Sequence, residues 1–213
     1  MRTKPRSLED LIYLISKIGL SPLRGLFLWA LLSRGSRLPF LGAGTKIISA
    51  RKLHCGVLVW IGQNCYIDAH SVQGVRLGNG VTLREGGTIQ CRSGLNPPGL
   101  GLTIGDNTFI GPNFKMGVGG AIEIGKNCQF GAHCSFNAES HLLSNDGTYT
   151  GGDTLRRGIF IGDNVWIGDG VIILDGVRVG SNSVIGAGSV VVRDVYEKTV
   201  VAGSPARLLK NIN

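Results

Sequence analysis

The chain has 213 residues, enough for one domain plus an appendage. Glycine supplies 34 of them and proline only 7, with no collagen-like triplet, which excludes a fibrous repeat and a proline-rich disordered chain. Apolar residues make up 43% and charged ones 17%, so part of the surface is expected to be covered by other copies of the chain. The formal net charge of +8 favours anionic or phosphate-bearing partners over a basic surface with no dedicated partner. No Lys/Arg run or nucleic-acid-binding motif is present, so nucleic acid is not expected among them.

In chain order, residues 1–40 read as a helical segment. Lys17, Pro22 and Arg24 interrupt the apolar stretch from Leu8 to Leu32, which leaves no run of the roughly 18 apolar residues that a membrane span needs. Two short helices, about 7–19 and 22–34, fit better. Ser7 ahead of Glu9 and Asp10 gives the first a start with carboxylates in its opening turn. Gly19-Leu20-Ser21-Pro22 is a break and restart. No small-residue cleavage site follows a clean apolar core, so a secretory signal is not expected. Basic residues from Arg2 to Arg37 surround a greasy body, so residues 1–37 could touch an anionic membrane surface. Capping the domain that follows is the reading favoured over it, because the open end of a repeat array needs cover.

From Ile161 the chain reads IGDNVW, IGDGVI, ILDGVR, VGSNSV, IGAGSV and VVRDVY, so that Ile161, Ile167, Ile173, Val179, Ile185 and Val191 recur without a slip. The residue four places after each is small or β-branched. Six is not a multiple of the helical 3.6, and Val, Ile and Gly disfavour a helix interior. The period fits short flat strands joined by tight turns, with the aliphatic pointing inward and Gly or Asn in the turn. Three units then close one triangular coil, and successive coils stack. The period recurs upstream at Leu77, Leu83 and Ile89, at Ile104, Ile110 and Met116, and at Ile124, Phe130 and Phe136. Cys65, Cys128 and Cys134 fall in the small-residue slot and read as core filler. The five cysteines are odd in number and form no C-x-x-C, which points to reduced thiols in a cytoplasmic protein. The phase breaks at 91–101, which holds Pro97-Pro98, and at about 138–158, a polar Gly-rich stretch. Long excursions from a regular array are where function concentrates.

The run IGDNVWIGDGVIILDGVRVGSNSVIGAGSVVVRDV, closed by VAGSPARLLK, resembles the hexapeptide-repeat acetyltransferases, in the branch of the galactoside, maltose and polysaccharide O-acetyltransferases. The resemblance is strong from about 100 to 210, looser from 41 to 100, and does not extend to the N-terminal helices. It implies a left-handed parallel β-helix over 41–213 with an active-site loop at about 138–158 and a tail at about 203–213. It also implies a homotrimer with acetyl-CoA, the acyl donor, in a cleft between neighbouring copies. The expected activity is acetyl transfer to a sugar hydroxyl, as in surface polysaccharide building.

Such a transfer needs a base, a donor for the developing oxyanion and a cleft for the thioester. The resemblance makes His141, in FNAESHLLSND, the general base, and imidazole as a class suits that task near neutral pH. It makes Asn113 an acceptor contact, expected to face one cleft with His141, although a turn Asn is nearly as good a reading. Glu139, Asp146 and Asp153 flank His141, and one of them is expected to orient it or hold the acceptor. Trp166 would line the pantetheine channel, and the backbone N–H of Asp169 would be the oxyanion donor, with Gly168 and Gly170 allowing close approach. Ala187 and Gly188 would wall the CoA arm, with Arg193, Arg207 and Lys210 near its phosphates. His133 reads as a turn residue, and His54 and His70 have no supporting context.

Three other readings compete. The nearest is N-acetylation of an amino-sugar nucleotide. A zinc trimer of the carbonic anhydrase type needs three His ligands, and the spacing of His133 and His141 does not suit it, so no metal is expected. A structural β-helix trimer without catalysis is the third.

Overall fold

The computed structural model describes residues 19–32, 34–91, 97–143, 147 and 149–212, with the backbone alone at 143 and 149–153. Three sheets, parallel except for the antiparallel last strand of the first, form the faces of a triangular prism, a left-handed parallel β-helix. The first sheet runs through nine strands from Phe40–Leu41 to Arg207–Asn211. The second runs through seven, from Lys46–Ile48 to Val190–Val191, and the third through six, from Leu53–Cys55 to Arg178–Val179. Neighbouring strands within a sheet come from successive coils, as the pairing of Ile110 with Leu83 and of Met116 with Ile89 and Phe136 illustrates.

The period decides what enters the core. Ile61, Leu83, Ile110, Phe130, Ile167 and Ile185 line the first face from inside and are all at most 1% exposed. Ile67, Ile89, Met116, Phe136, Ile173 and Val191 do the same on the second. Where the first face turns into the second, the chain takes a left-handed residue on every coil: Asn64, Gly86, Asn113, His133, Gly170 and Gly188 all have φ between 53° and 71°. Asn and Gly tolerate this conformation best, and His133 occupies a turn as expected.

Steps from the first face to the second, such as Ile61 to Ile67, and from the third to the first, such as Cys55 to Ile61, keep the repeat spacing. The extra residues all fall between the second and third faces: Ile67 to Leu77, Ile89 to Ile104, Met116 to Ile124 and Phe136 to Ile161. They stack on this one corner through backbone hydrogen bonds, from Leu100 N–H to the Gly119 carbonyl at 3.1 Å and from Val72 N–H to Gly99 at 2.9 Å. We call it the insertion corner.

All five cysteines are free and buried. Cys65, Cys128 and Cys134 also point their thiols at carbonyls of the next coil, Arg84, Gly162 and Gly168, at 3.1–3.2 Å. Burial pushes Cys55 and Cys91 from the ordinary 9.0 up to about 12. The folded state therefore keeps these protons where the unfolded chain has lost them. Stability is expected to fall as pH rises from about 9 towards about 12, by up to ~1.4 kcal/mol per pH unit for each thiol. Denaturant midpoints measured across that range, against Cys55→Ala and Cys91→Ala, check it. An unchanged slope in the variants would refute the assignment.

The helix Ser21–Trp29 carries Pro22 in its first turn and buries Ser21, Gly25 and Leu28. A Cβ at Gly25 would collide with the Pro39 carbonyl, so glycine lets the helix sit against the chain entering the first sheet. Arg24 Nε donates to the Leu41 carbonyl at 2.9 Å. Leu28 and Leu32 join the core, so this segment covers the start of the solenoid. The helix ends at Trp29 rather than near 34. Its last bonds tighten to Leu31 N–H on Leu28 and Leu32 N–H on Trp29, and Trp29 Nε1 donates to Ser36 as the chain turns back. The expected helix at 7–19 lies outside the described residues apart from Gly19. Among the described residues no helix is long and apolar enough to cross a membrane.

Candidate active site

The longest excursion at the insertion corner is a β-hairpin rather than a plain loop. Ser140–Leu143 pairs antiparallel with Tyr149–Leu155, with Ser140 opposite Leu155 and His141 opposite Thr154. Gly147, at φ 83°, lies in the connection. His141 is exposed on the first strand of this hairpin. At the hairpin root, one step before Ser140 and one after Leu155, Arg156 Nε donates to Glu139 Oε2 at 2.6 Å. Arg156 Nη1 reaches the Pro98 carbonyl at 3.4 Å. One guanidinium thus ties together the two breaks in the sequence period, 91–101 and 138–158. Of the flanking carboxylates, Glu139 is engaged in this pair, and Asp146 lies outside the described residues.

Beside this root lies a recess of about 260 Å³, lined among others by Gln90, Pro97, Gly117, Asn137, Glu139 and Arg156. Gln90, Gly117 and Asn137 stand in register on three adjacent strands. Sequence reasoning missed them, although each directly follows an inward anchor, Ile89, Met116 or Phe136, as the last outward position before the insertion corner. A larger groove of about 700 Å³ runs over the third sheet, where the Arg178 guanidinium stacks on Phe160 at 4.2 Å. It touches none of the predicted site residues.

A second group of predicted residues gathers on the first sheet and its turn into the second. Trp166 is 58% exposed on the strand Trp166–Ile167. Val184, Val200 and Lys210 continue its row strand by strand, so Lys210 stands about 14 Å along the sheet from Trp166, at three strand spacings. Arg207 lies on the same terminal strand. Asp169 opens the adjoining turn, and its carboxylate accepts the Ala132 N–H at 2.7 Å, which fastens one coil to the one below. Gly168 has its Cα face pressed on Ala187, where a Cβ would lie 2.6 Å from the Ala187 nitrogen. Ala187 and Gly188 are exposed one coil above.

The family of bacterial transferase hexapeptide repeats (six repeats) matches residues 158–193, and the hexapeptide repeat of succinyl-transferase matches 59–90. A hexapeptide-repeat acetyltransferase from Vibrio cholerae, solved with acetyl-coenzyme A, superimposes with a TM-score of 0.55 at 25% identity over 100% of this chain and 93% of its own. The chain carries hexapeptide repeats and is an acyl-CoA acyltransferase. Another structure of the Vibrio cholerae protein gives 0.52 and 27% over 98% and 95%. A galactoside acetyltransferase in complex with coenzyme A shares the fold, at 0.53 and 23% over 92% of this chain and 82% of its own. None of the curated proteins matches the chain by sequence.

In this acyltransferase the predicted residues divide between two edges of the prism. His141, Glu139 and Arg193, which follows Val190–Val191, belong to the insertion corner. Trp166, Gly168, Asp169, Ala187 and Gly188 belong to the first sheet and the opposite edge of the second. Asn113 belongs there too, at φ 57° in the turn after Phe109–Ile110, where its Oδ1 packs over Gly86. Within one chain the width of the second sheet separates Asn113 from His141, so a cleft that both face would lie between copies. Arg193 likewise stands apart from Arg207 and Lys210. Among the described residues no three His, Cys, Asp or Glu side chains gather as a metal cage.

Proposed function

We propose that this acyltransferase moves the acetyl group of acetyl-CoA onto a sugar hydroxyl, in the building of surface polysaccharide, with His141 as general base. The observation that carries the reading is the hairpin on the corner where all insertions collect, which carries an exposed His141 and whose root, Glu139 and Arg156, borders a small polar recess. An imidazole nitrogen takes the proton of the acceptor hydroxyl as its oxygen attacks the thioester carbonyl. The Asp169 N–H holds the oxyanion of the tetrahedral intermediate. Its collapse breaks the C–S bond, and the leaving thiolate recovers the proton from the imidazolium. Trp166 lines the pantetheine arm, with Lys210 and Arg207 towards the phosphates.

Because His141 and Asp169 lie on different edges of one prism, this step requires the insertion corner of one copy to meet the first sheet of the next. A cyclic trimer closes that arrangement three times. Acetyl-CoA complexes of a similar protein support the donor. The five free, buried cysteines suit a reducing cytoplasm. Residues 1–37 would bring the enzyme to a lipid-linked acceptor at the inner membrane face.

The test is free-thiol release from acetyl-CoA with a panel of sugars and sugar nucleotides. Release driven by a hydroxyl acceptor supports the reading, and release driven only by amino sugars turns it into N-acetylation. The shared site has its own test. His141→Ala and Trp166→Ala chains, each inactive alone, should regain activity when assembled together, since about a quarter of the sites in random trimers draw both intact residues from different chains. No recovery in verified mixed trimers would rule out a site between copies.

A further inference from the structure

Eighteen glycines whose surroundings are described have an ordinary φ, and at seventeen of them an added Cβ would meet another atom at under 3.0 Å. Among these eighteen, Gly117 alone has room. Among the described residues a Cβ there would find nothing nearer than the Phe136 carbonyl at 3.7 Å and Asn137 Oδ1 at 4.0 Å. It ends the strand Lys115–Gly117, where glycine is less stable than alanine for want of a side chain to pack and for excess freedom when unfolded. Neither the backbone nor packing against the described residues therefore accounts for glycine at this position.

What the missing side chain leaves open is the floor of the recess at the insertion corner. Gly117 pairs with Gln90 on one side and Asn137 on the other, so a gap stands between two outward amides. The Glu139–Arg156 pair forms one wall, and its charges are engaged with each other, which leaves recognition to the amides. Each amide both donates and accepts, the pattern that matches a hydroxyl. At about 260 Å³ the recess falls just short of the ~300–1,000 Å³ of pockets for larger organic ligands and suits one ring.

We propose that Gly117 is a specificity-determining residue: its empty place admits a single polyhydroxylated ring, which Gln90 and Asn137 grip by its hydroxyls at the root of the hairpin that carries His141. The inference rests on the acetyltransferase reading for the identity of this ring as the acceptor, but the fit of a ring over Gly117 can be read without turnover.

The experiment compares wild type, Gly117→Ala, Gly117→Val and Asn137→Ala as full chains. Saturation-transfer NMR measures binding of a panel of hexoses and short glycans, and kinetics with acetyl-CoA follow. Gly117→Ala and Gly117→Val are expected to melt no lower than wild type and to keep the Kd for acetyl-CoA. Glycan affinity should fall stepwise from Gly to Ala to Val, by roughly tenfold or more for Val, the scale on which a misplaced methyl discriminates. The KM for the acceptor should rise in step, and Asn137→Ala should weaken the same ligands. Loss of glycan binding in Gly117→Val without any acetyl transfer by wild type would keep the pocket and sink the acetyltransferase reading. Acetyl transfer with equal acceptor KM in wild type and Gly117→Val would do the reverse. A wild type that binds no member of the panel overturns the proposal.

Discussion

Replacing His141 by alanine is expected to lower acceptor-dependent thiol release from acetyl-CoA by roughly 10²–10⁴, the range for loss of a general base. The fall should appear in kcat, with the Kd for acetyl-CoA close to wild type, because the groups proposed to hold the donor lie on the first sheet and the histidine on a hairpin at another edge. The hairpin itself should survive. Its ladder uses the backbone of residue 141, and its root is held by Arg156 on Glu139. Equal rates for wild type and His141→Ala would remove His141 from the chemistry. A simultaneous loss of acetyl-CoA binding would mark it as structural. His141→Gln, which keeps a hydrogen-bonding group but cannot take the proton at neutral pH, should be as slow as alanine.

The largest single effect on stability is expected at Phe114. Four places after Ile110, it occupies a slot that holds Cys65, Cys134, Val171 and Ser189 on other coils, yet it is fully buried. The room comes from the coil below, where Gly87 fills the same slot and an added Cβ would strike the Phe114 ring. Phe114→Ala should cost about 3–5 kcal/mol, since it opens a ring-sized cavity between coils tied by backbone bonds on every face. Gly87→Ala should also destabilise, by forcing the ring out of place. The pair Gly87→Ala/Phe114→Leu should recover part of both losses, because volume moves from one coil to the other. Denaturant unfolding at fixed protein concentration measures all three. A loss below about 1 kcal/mol for Phe114→Ala would mean that the coils collapse onto the space.

The period was legible in the residues themselves. A run such as Ile161, Ile167 and Ile173 with glycine or asparagine in the turns admits few other folds, because side-chain size and turn conformation are local properties that each coil must satisfy. From that followed the prism, the burial of the cysteines and the turn role of His133. The phase breaks marked 91–101 and 138–158 as special, and the resemblance pointed to His141 within the second.

Only the tertiary structure decided where the breaks meet. Spacing along the chain does not say which corner absorbs extra residues, so the assembly of both excursions with Gln90, Gly117 and Asn137 around one recess came from the stacking of coils. The same stacking moved Asn113 to another edge, made Arg156 a clamp, and let Gly87 and Phe114 exchange volume. Local conformational preference fixes what each coil is. Contact between residues about twenty or more apart in sequence, such as Gln90 with Gly117 and Gly117 with Asn137, fixes what the coils build together.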